Sequence, residues 1–227
     1  MVDFFRDYTM TIGGESAHAT STLDIVNPAT REVIADVPDA SKDQLDAAVR
    51  AARAAFPKWS GSPLAQRQQA LVNIAAAIEL HADDFMKLLT REQGKPRAGA
   101  QWEIGGSAIW CREIAKQSLP DEVLEDSAQR RVITQFTPIG VVGAITPWNF
   151  PVLLAMWKIA PALLTGNCII VKPSPFTPLT TLKLGEICKE FLPPGVFNVV
   201  SGGDELGKWM TAHPNIDKIA FTGHTET

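Results

Sequence analysis

Cysteine is scarce in this chain of 227 residues: Cys111, Cys168 and Cys188 are the whole complement. They are odd in number, with no Cys-x-x-Cys pair and no Cys/His spacing suited to a metal, so they read as reduced, buried thiols. Cys168 falls in an apolar strand and Cys188 in a helix. Cys111 has Arg112 beside it, a neighbour that can lower a thiol pKa, although burial is the commoner fate of a free cysteine. The four histidines, His18, His81, His213 and His224, are too scattered for a metal site, and no metal is expected.

Runs of like charge are also missing. Charged residues make up 20% of the chain and the formal net charge is -4, with acids and bases interspersed, so nucleic acid is not an expected partner. The longest apolar stretch, residues 151–164, is interrupted by Lys158 and Pro161 and is too short to span a bilayer, so no membrane partner is expected either. No basic segment followed by an apolar core opens the chain, which leaves a cytoplasmic location as the default expectation. There is no internal repeat and no low-complexity linker.

What is present is a hydrophobic content of 45%, enough in a chain of this length to bury a substantial core. The most informative stretch runs from Gly140 to Pro173. Residues 141–146 form a short β-branched run between Gly140 and Pro147, suited to a strand buried on both faces as in a parallel sheet. Asn149, Phe150 and Pro151 read as a helix start, an asparagine cap followed by a first-turn proline, and Gly166 supplies the stop. A second strand ends at Lys172. The unit is βαβ, and the turn after its first strand, with Trp148 and Asn149, sits where open α/β sheets bind ligands. Asn149 as a plain cap and Trp148 as plain packing is the alternative.

Upstream, Gly13-Gly14 lies in a polar segment that suits a hairpin or a loose arm. Two strand-like runs flank Asn27-Pro28-Ala29-Thr30 as a β-hairpin. Ser41 and Gln44 fit a capping box ahead of Leu45, Ala48, Val49, Ala52 and Phe56 at helical spacing. A second helix begins at Ser62-Pro63, its stripe continued by Phe85, Leu88 and Leu89, and Gly94 followed by Pro96 ends it. A third helix over residues 98–117 carries Trp102, Ile109 and Trp110, for which core packing is expected. Residues 130–136 read as a strand entering a turn. Downstream, Pro178 opens a helix, residues 196–201 form a strand, a further helix follows Gly202, Gly203 and Gly207, and residues 218–221 form a last strand.

These residues resemble the aldehyde dehydrogenase family. The resemblance is carried by Thr146-Pro147-Trp148-Asn149-Phe150-Pro151, Gly166-Asn167, Lys172-Pro173-Ser174, Pro193-Pro194-Gly195-Val196 and Phe221-Thr222-Gly223, in the family's order and spacing, with Asn27-Pro28-Ala29-Thr30 and Glu92-x-Gly94-Lys95-Pro96 upstream. It runs from about Asn27 to the last residue. It implies an α/β fold: an incomplete Rossmann-like parallel sheet with flanking helices over residues 139–227, an N-terminal hairpin and helical segment over residues 1–128 belonging to the same cofactor-binding domain, and part of an oligomerisation arm over residues 129–138. The arm's partner strands would lie outside the chain, leaving an unpaired edge.

The resemblance implies NAD or NADP as cofactor, an aldehyde as substrate and a homo-oligomer when complete. Asn149 would donate its side-chain amide to the aldehyde oxygen. Ile145, Thr146, Pro147, Trp148, Lys172, Ser174, Pro175, Gly202, Gly207, Phe221, Thr222, Gly223 and His224 would line the dinucleotide. Lys172 would meet ribose hydroxyls or a ribose phosphate, whereas without the resemblance a solvated strand-end lysine is the commoner expectation. Many NAD-preferring members have an acid where this chain has Pro175, and its loss would admit NADP as well. Where the family has serine this chain has His224, larger and titrating near neutrality. Gly202 to Gly207 is not the Gly-x-Gly-x-x-Gly pattern and by itself is a weak signal.

The family's cysteine nucleophile and glutamate base lie well downstream of Phe-Thr-Gly, and the sequence ends four residues after Gly223. The expectation is therefore the N-terminal half of an aldehyde dehydrogenase, inactive alone. A non-catalytic module that binds dinucleotide or docks on a full-length relative is the alternative, and a truncated product with no stable role is a third.

Overall fold

The computed structural model describes residues 2–224. Strands β7 (Val141–Ile145), β8 (Cys168–Lys172), β9 (Phe197–Val199) and β10 (Lys218–Phe221) form the parallel part of a six-stranded sheet ordered β10-β7-β8-β9-β1-β2. The chain leaves β7, steps outward twice to β8 and β9, and then returns past both to pair β10 with the free side of β7. That reversal is the feature of doubly wound sheets that opens a crevice at the carboxyl ends of the strands. Because crossovers are right-handed, the outward and returning connections cover opposite faces. Helices α5 (Pro151–Leu164) and α6 (Leu179–Cys188) pack together on one side, while α7 (Asp204–Thr211) joins α1 (Lys42–Ser60) on the other.

Strands β7 and β8 are almost wholly apolar, and every residue of β8 is buried, as a sheet covered on both faces demands. The N-terminal segment is a hairpin. Strand β1 (Met10–Ile12) turns at Gly13-Gly14 into β2 (Glu15–Ala17), and β1 adds to β9 antiparallel, so the segment closes the sheet edge and is no loose arm. Strands β3 (Thr22–Val26) and β4 (Val33–Pro38) form the second hairpin around Asn27-Pro28.

Helices α2 (Leu64–Leu80), α3 (Ala82–Gln93) and α4 (Arg97–Ala115) make a further layer over α5 and α6. The Ser41/Gln44 capping box of α1 is present. Ser62, expected to cap α2, instead donates its hydroxyl to the Trp59 carbonyl at 2.6 Å, and Pro63 occupies the cap position. The stripe at Phe85, Leu88 and Leu89 belongs to a separate helix, because the chain leaves helical geometry at His81. Gly94 ends α3 at a φ of 84°, and a Cβ there would lie 2.7 Å from Pro28, so the stop also seats the β3–β4 turn.

Core packing holds for one of the two α4 tryptophans, Trp110, and not for Trp102. The buried stripe of α4 is Ala100, Glu103, Ile104, Ser107, Ala108, Cys111 and Ala115, spaced by three or four residues. Trp102 and Ile109 therefore face outward, 64% and 62% exposed, while Trp110 is half-buried against Trp157. The strand expected over residues 130–136 is β6 (Arg131–Thr134), and its partner lies within the chain: β5 (Glu122–Asp126) pairs with it antiparallel. The acidic run Glu-Val-Leu-Glu-Asp hides that strand from a reading of composition. Among the described residues no helix is long and apolar enough to cross a membrane.

Candidate functional site

The parallel register sets Lys172, Ile145 and Phe221 side by side across β8, β7 and β10, at the carboxyl edge where the winding reverses. The ladder continues one step further: the Thr146 amide donates to the Lys172 carbonyl at 3.0 Å and the Thr222 amide to the Ile145 carbonyl at 3.1 Å. Above this row opens a cleft of about 490 Å³ lined by Ile145, Lys172, Asp204, Gly207, Lys208, Thr211, Phe221 and His224. Its far wall is one face of α7, whose Asp204, Gly207, Lys208 and Thr211 recur at the spacing of a single helical stripe.

Lys172 is only 4% exposed, not the solvated strand end that its position suggests. Burial pulls its ammonium from the ordinary 10.5 down to about 8, with Asp204 and Asp39 acting in the opposite direction. The ammonium makes one long hydrogen bond, 3.4 Å, to the neighbouring Pro173 carbonyl, so it retains donors for a ligand. Gly207 lies beside the lysine stem, where a Cβ would make only an ordinary contact with Lys172 Cε at 3.9 Å. At the opposite end, Lys158 of α5 donates to the Thr222 hydroxyl at 2.5 Å, and burial lowers its pKa as well.

The remaining expected residues divide. Trp148 and Pro175 line a separate apolar pocket of about 560 Å³ with Phe176, Ile25 and Pro28. Ser174 is buried, its hydroxyl accepting from the Phe176 amide at 3.3 Å. Gly202 lies behind the start of α7, packed against Leu206 and Asp39. Pro147 is half-buried between Thr146 and Trp148, and Gly223 closes against the Phe221 ring. Residues 225–227, at which the resemblance implies the start of a helix, lie outside the described residues.

Asn149 is exposed on the turn between β7 and α5, and it does not cap the helix. Phe150 occupies the cap position with no side-chain bond, and the donors that a cap would satisfy are taken by Glu103 of α4. Its carboxylate accepts from the Val152 amide at 2.9 Å and the Leu153 amide at 3.2 Å. Lys95 pairs with the other oxygen of Glu103, donates to the Asn149 carbonyl at 2.9 Å and lies 4.2 Å from the Phe150 ring centroid. A fully buried carboxylate and its lysine thus fix the turn that displays Asn149 and Trp148.

The same device recurs one helix on. Glu92 of α3 accepts from the Leu179 amide at 2.7 Å and the Thr180 amide at 3.0 Å, and from the Thr180 hydroxyl, at the start of α6. Burial pushes its carboxyl up from 4.5 to about 7, and the bonds from Thr180 and Leu179 oppose the rise. Sequence reading placed Glu92 and Lys95 only at a helix stop and missed Glu103. The available signal was an acid inside the otherwise apolar stripe of α4, a position that burial forbids without partners.

The three cysteines are all free and buried. Cys111 is buried, donates its thiol to the Leu71 carbonyl at 3.2 Å and is pushed up to about 12 by burial. Arg112 pulls the thiol the other way but is outweighed by burial, and its guanidinium turns outward to Glu79. Burial also pushes Cys168 up to about 12 and Cys188 well above its ordinary value.

Residues 15–227 match the aldehyde dehydrogenase family model. Aldehyde dehydrogenase LUC3 of a Fusarium species is 42% identical over 223 residues, covering 98% of this chain and 47% of its own length. The NAD+ complex of an aldehyde dehydrogenase from Bacillus cereus superposes with a TM-score of 0.95 at 36% identity, covering 98% of this chain and 48% of that one. An NADP-dependent enzyme of E. coli gives 0.94 at 36% identity, with the same coverage. The chain spans about half the length of the curated relatives it matches.

Proposed function

The chain belongs to the aldehyde dehydrogenase family, and from that premise we propose that it supplies the dinucleotide site and the oxyanion donor of an enzyme that oxidises an aldehyde to a carboxylic acid with NAD or NADP. The observation that carries the reading is the row Lys172, Ile145, Phe221 at the carboxyl edge of the sheet, roofed by the glycine-bearing face of α7. This donor set suits a dinucleotide. A buried ammonium with donors to spare meets ribose oxygens, and Ile145 and Phe221 offer an apolar surface. Thr146, Thr222 and His224 adjoin that row, whereas Trp148 and Pro175 line the neighbouring pocket. When bound, the nicotinamide group accepts a hydride from the substrate carbon.

Asn149 acts on the substrate. Its side-chain amide donates to the aldehyde oxygen as negative charge grows there, and loss of one such donor costs on the order of 3 kcal/mol in the barrier. Lys95 and Glu103 act through Asn149 by holding its turn. With all three thiols buried and protonated, the chain by itself turns over no aldehyde. The β5–β6 hairpin, with Val123, Leu124 and Ile133 exposed, supports assembly into a homo-oligomer when complete.

The test combines binding with turnover. The purified chain should bind NAD+ or NADP+ in a calorimetric titration and show no aldehyde-dependent rise in reduced-cofactor absorbance. Adding the C-terminal half of a relative should restore that rise. Turnover by the chain alone would overturn the claim of inactivity, and failure to bind either dinucleotide would overturn the assignment of the cleft.

A further inference from the structure

The chain has no carboxylate at position 175, and Pro175 lines the neighbouring pocket, not the cleft that holds Lys172. The cleft nevertheless contains an acid. Asp204 stands in the first turn of α7, on the stripe with Gly207, Lys208 and Thr211 that faces Lys172, and it is exposed to whatever enters. It is not engaged in the local ion pair: the pair on α7 joins Lys208 to the neighbouring Glu205 at 2.6 Å. Asp39, the other acid near this end of α7, accepts from the Gly203 amide at 3.2 Å and holds the loop behind the helix. The charged groups lining the cleft are therefore Lys172, Lys208 and Asp204, with His224 at the rim.

An ammonium and a carboxylate facing one another across a cleft make a complementary pair for a diol. Lysine donates to one hydroxyl oxygen and the carboxylate accepts from the hydroxyl hydrogens. A phosphate in place of one hydroxyl removes a donor that the carboxylate needs and adds like charge beside it. We propose that Asp204 sets cofactor selectivity in this chain, accepting from the ribose hydroxyls of NAD and opposing the added phosphate of NADP from the helix α7 wall. The inference rests on the reading of the cleft as a dinucleotide site. The balance between the two cofactors is set at position 204.

The experiment is a calorimetric titration of the whole chain with NAD+ and with NADP+, for the natural sequence, Asp204→Asn and Asp121→Asn. Asp121 precedes β5 in an exposed segment, and its substitution changes net charge equally. The natural chain should bind NAD+ the tighter. Asp204→Asn should tighten NADP+ by about tenfold, the scale expected for removing one nearby like charge, and leave NAD+ within about threefold, because the amide oxygen still accepts. The gain should shrink at high salt. An unchanged ratio of the two affinities in Asp204→Asn, or an equal change in Asp121→Asn, would overturn the inference while the cleft assignment stands. Binding of neither dinucleotide would overturn that assignment and the inference with it.

Discussion

Replacing Glu103 should loosen the Asn149 turn without touching Asn149 itself. In the native chain this carboxylate accepts from the amides of Val152 and Leu153 and pairs with Lys95, and its side chain is 0% exposed. Glu103→Ala leaves two helix N–H groups and a largely buried ammonium without their acceptor. Breaking a buried pair by removing one partner costs about 3–5 kcal/mol, and each orphaned amide about 1–3 kcal/mol. These contributions share atoms and do not add, so the expected loss is about 4 kcal/mol. Glu103→Gln keeps the shape and one oxygen for the two amides but turns an N–H donor toward the Lys95 ammonium, so it loses the ion pair alone, for about 3 kcal/mol.

The expected order of stability is therefore native, then glutamine, then alanine, read from urea denaturation followed by circular dichroism. Amide exchange at Val152 and Leu153 should accelerate most in the alanine variant. Lys95→Met combined with Glu103→Gln should cost less than the sum of the two, with a coupling of about 1–3 kcal/mol. An alanine variant within about 1 kcal/mol of the native chain would refute the reasoning, as would a glutamine variant as costly as alanine.

Lys172→Met should stabilise the chain at pH 7 and weaken dinucleotide binding. The fall of the lysine from 10.5 to about 8 corresponds to roughly 3 kcal/mol of burial cost carried by the native state at neutral pH. The folded state binds fewer protons than the unfolded one between those values, so native stability should rise as pH climbs from about 8 to about 10.5, and the advantage of the methionine variant should vanish over that window. Denaturation curves at several pH values measure both effects, and a methionine variant less stable at pH 7 would contradict the account. Glu92 has the opposite sign. Its carboxyl is raised from 4.5 to about 7, so the folded state binds the extra proton in that interval and stability should fall as pH rises through it, then level off. Glu92→Gln should remove that slope, and an unchanged slope would show that another group carries it.

The sequence by itself determined most of the elements, and it named Ile145, Lys172, Gly207, Phe221 and His224 among the residues that line the cleft. A continuous apolar, β-branched run marked β7 and β8, because a strand covered on both faces is apolar nearly throughout. Gly94 and the Ser41/Gln44 box were legible because helix ends have local chemistry. Only the tertiary structure decided what those residues meet. It set Lys172, Ile145 and Phe221 in one row, which depends on strand register across residues far apart in sequence. It turned Trp102 and Ile109 outward, because the apolar stripe of α4 was already filled by smaller residues. It moved the capping of α5 from Asn149 to Glu103 of another helix, and it placed an acid in the cleft at Asp204. Local patterns encode what a segment becomes, whereas buried charge and shared clefts are properties of segments brought together, and no single stretch of sequence carries them.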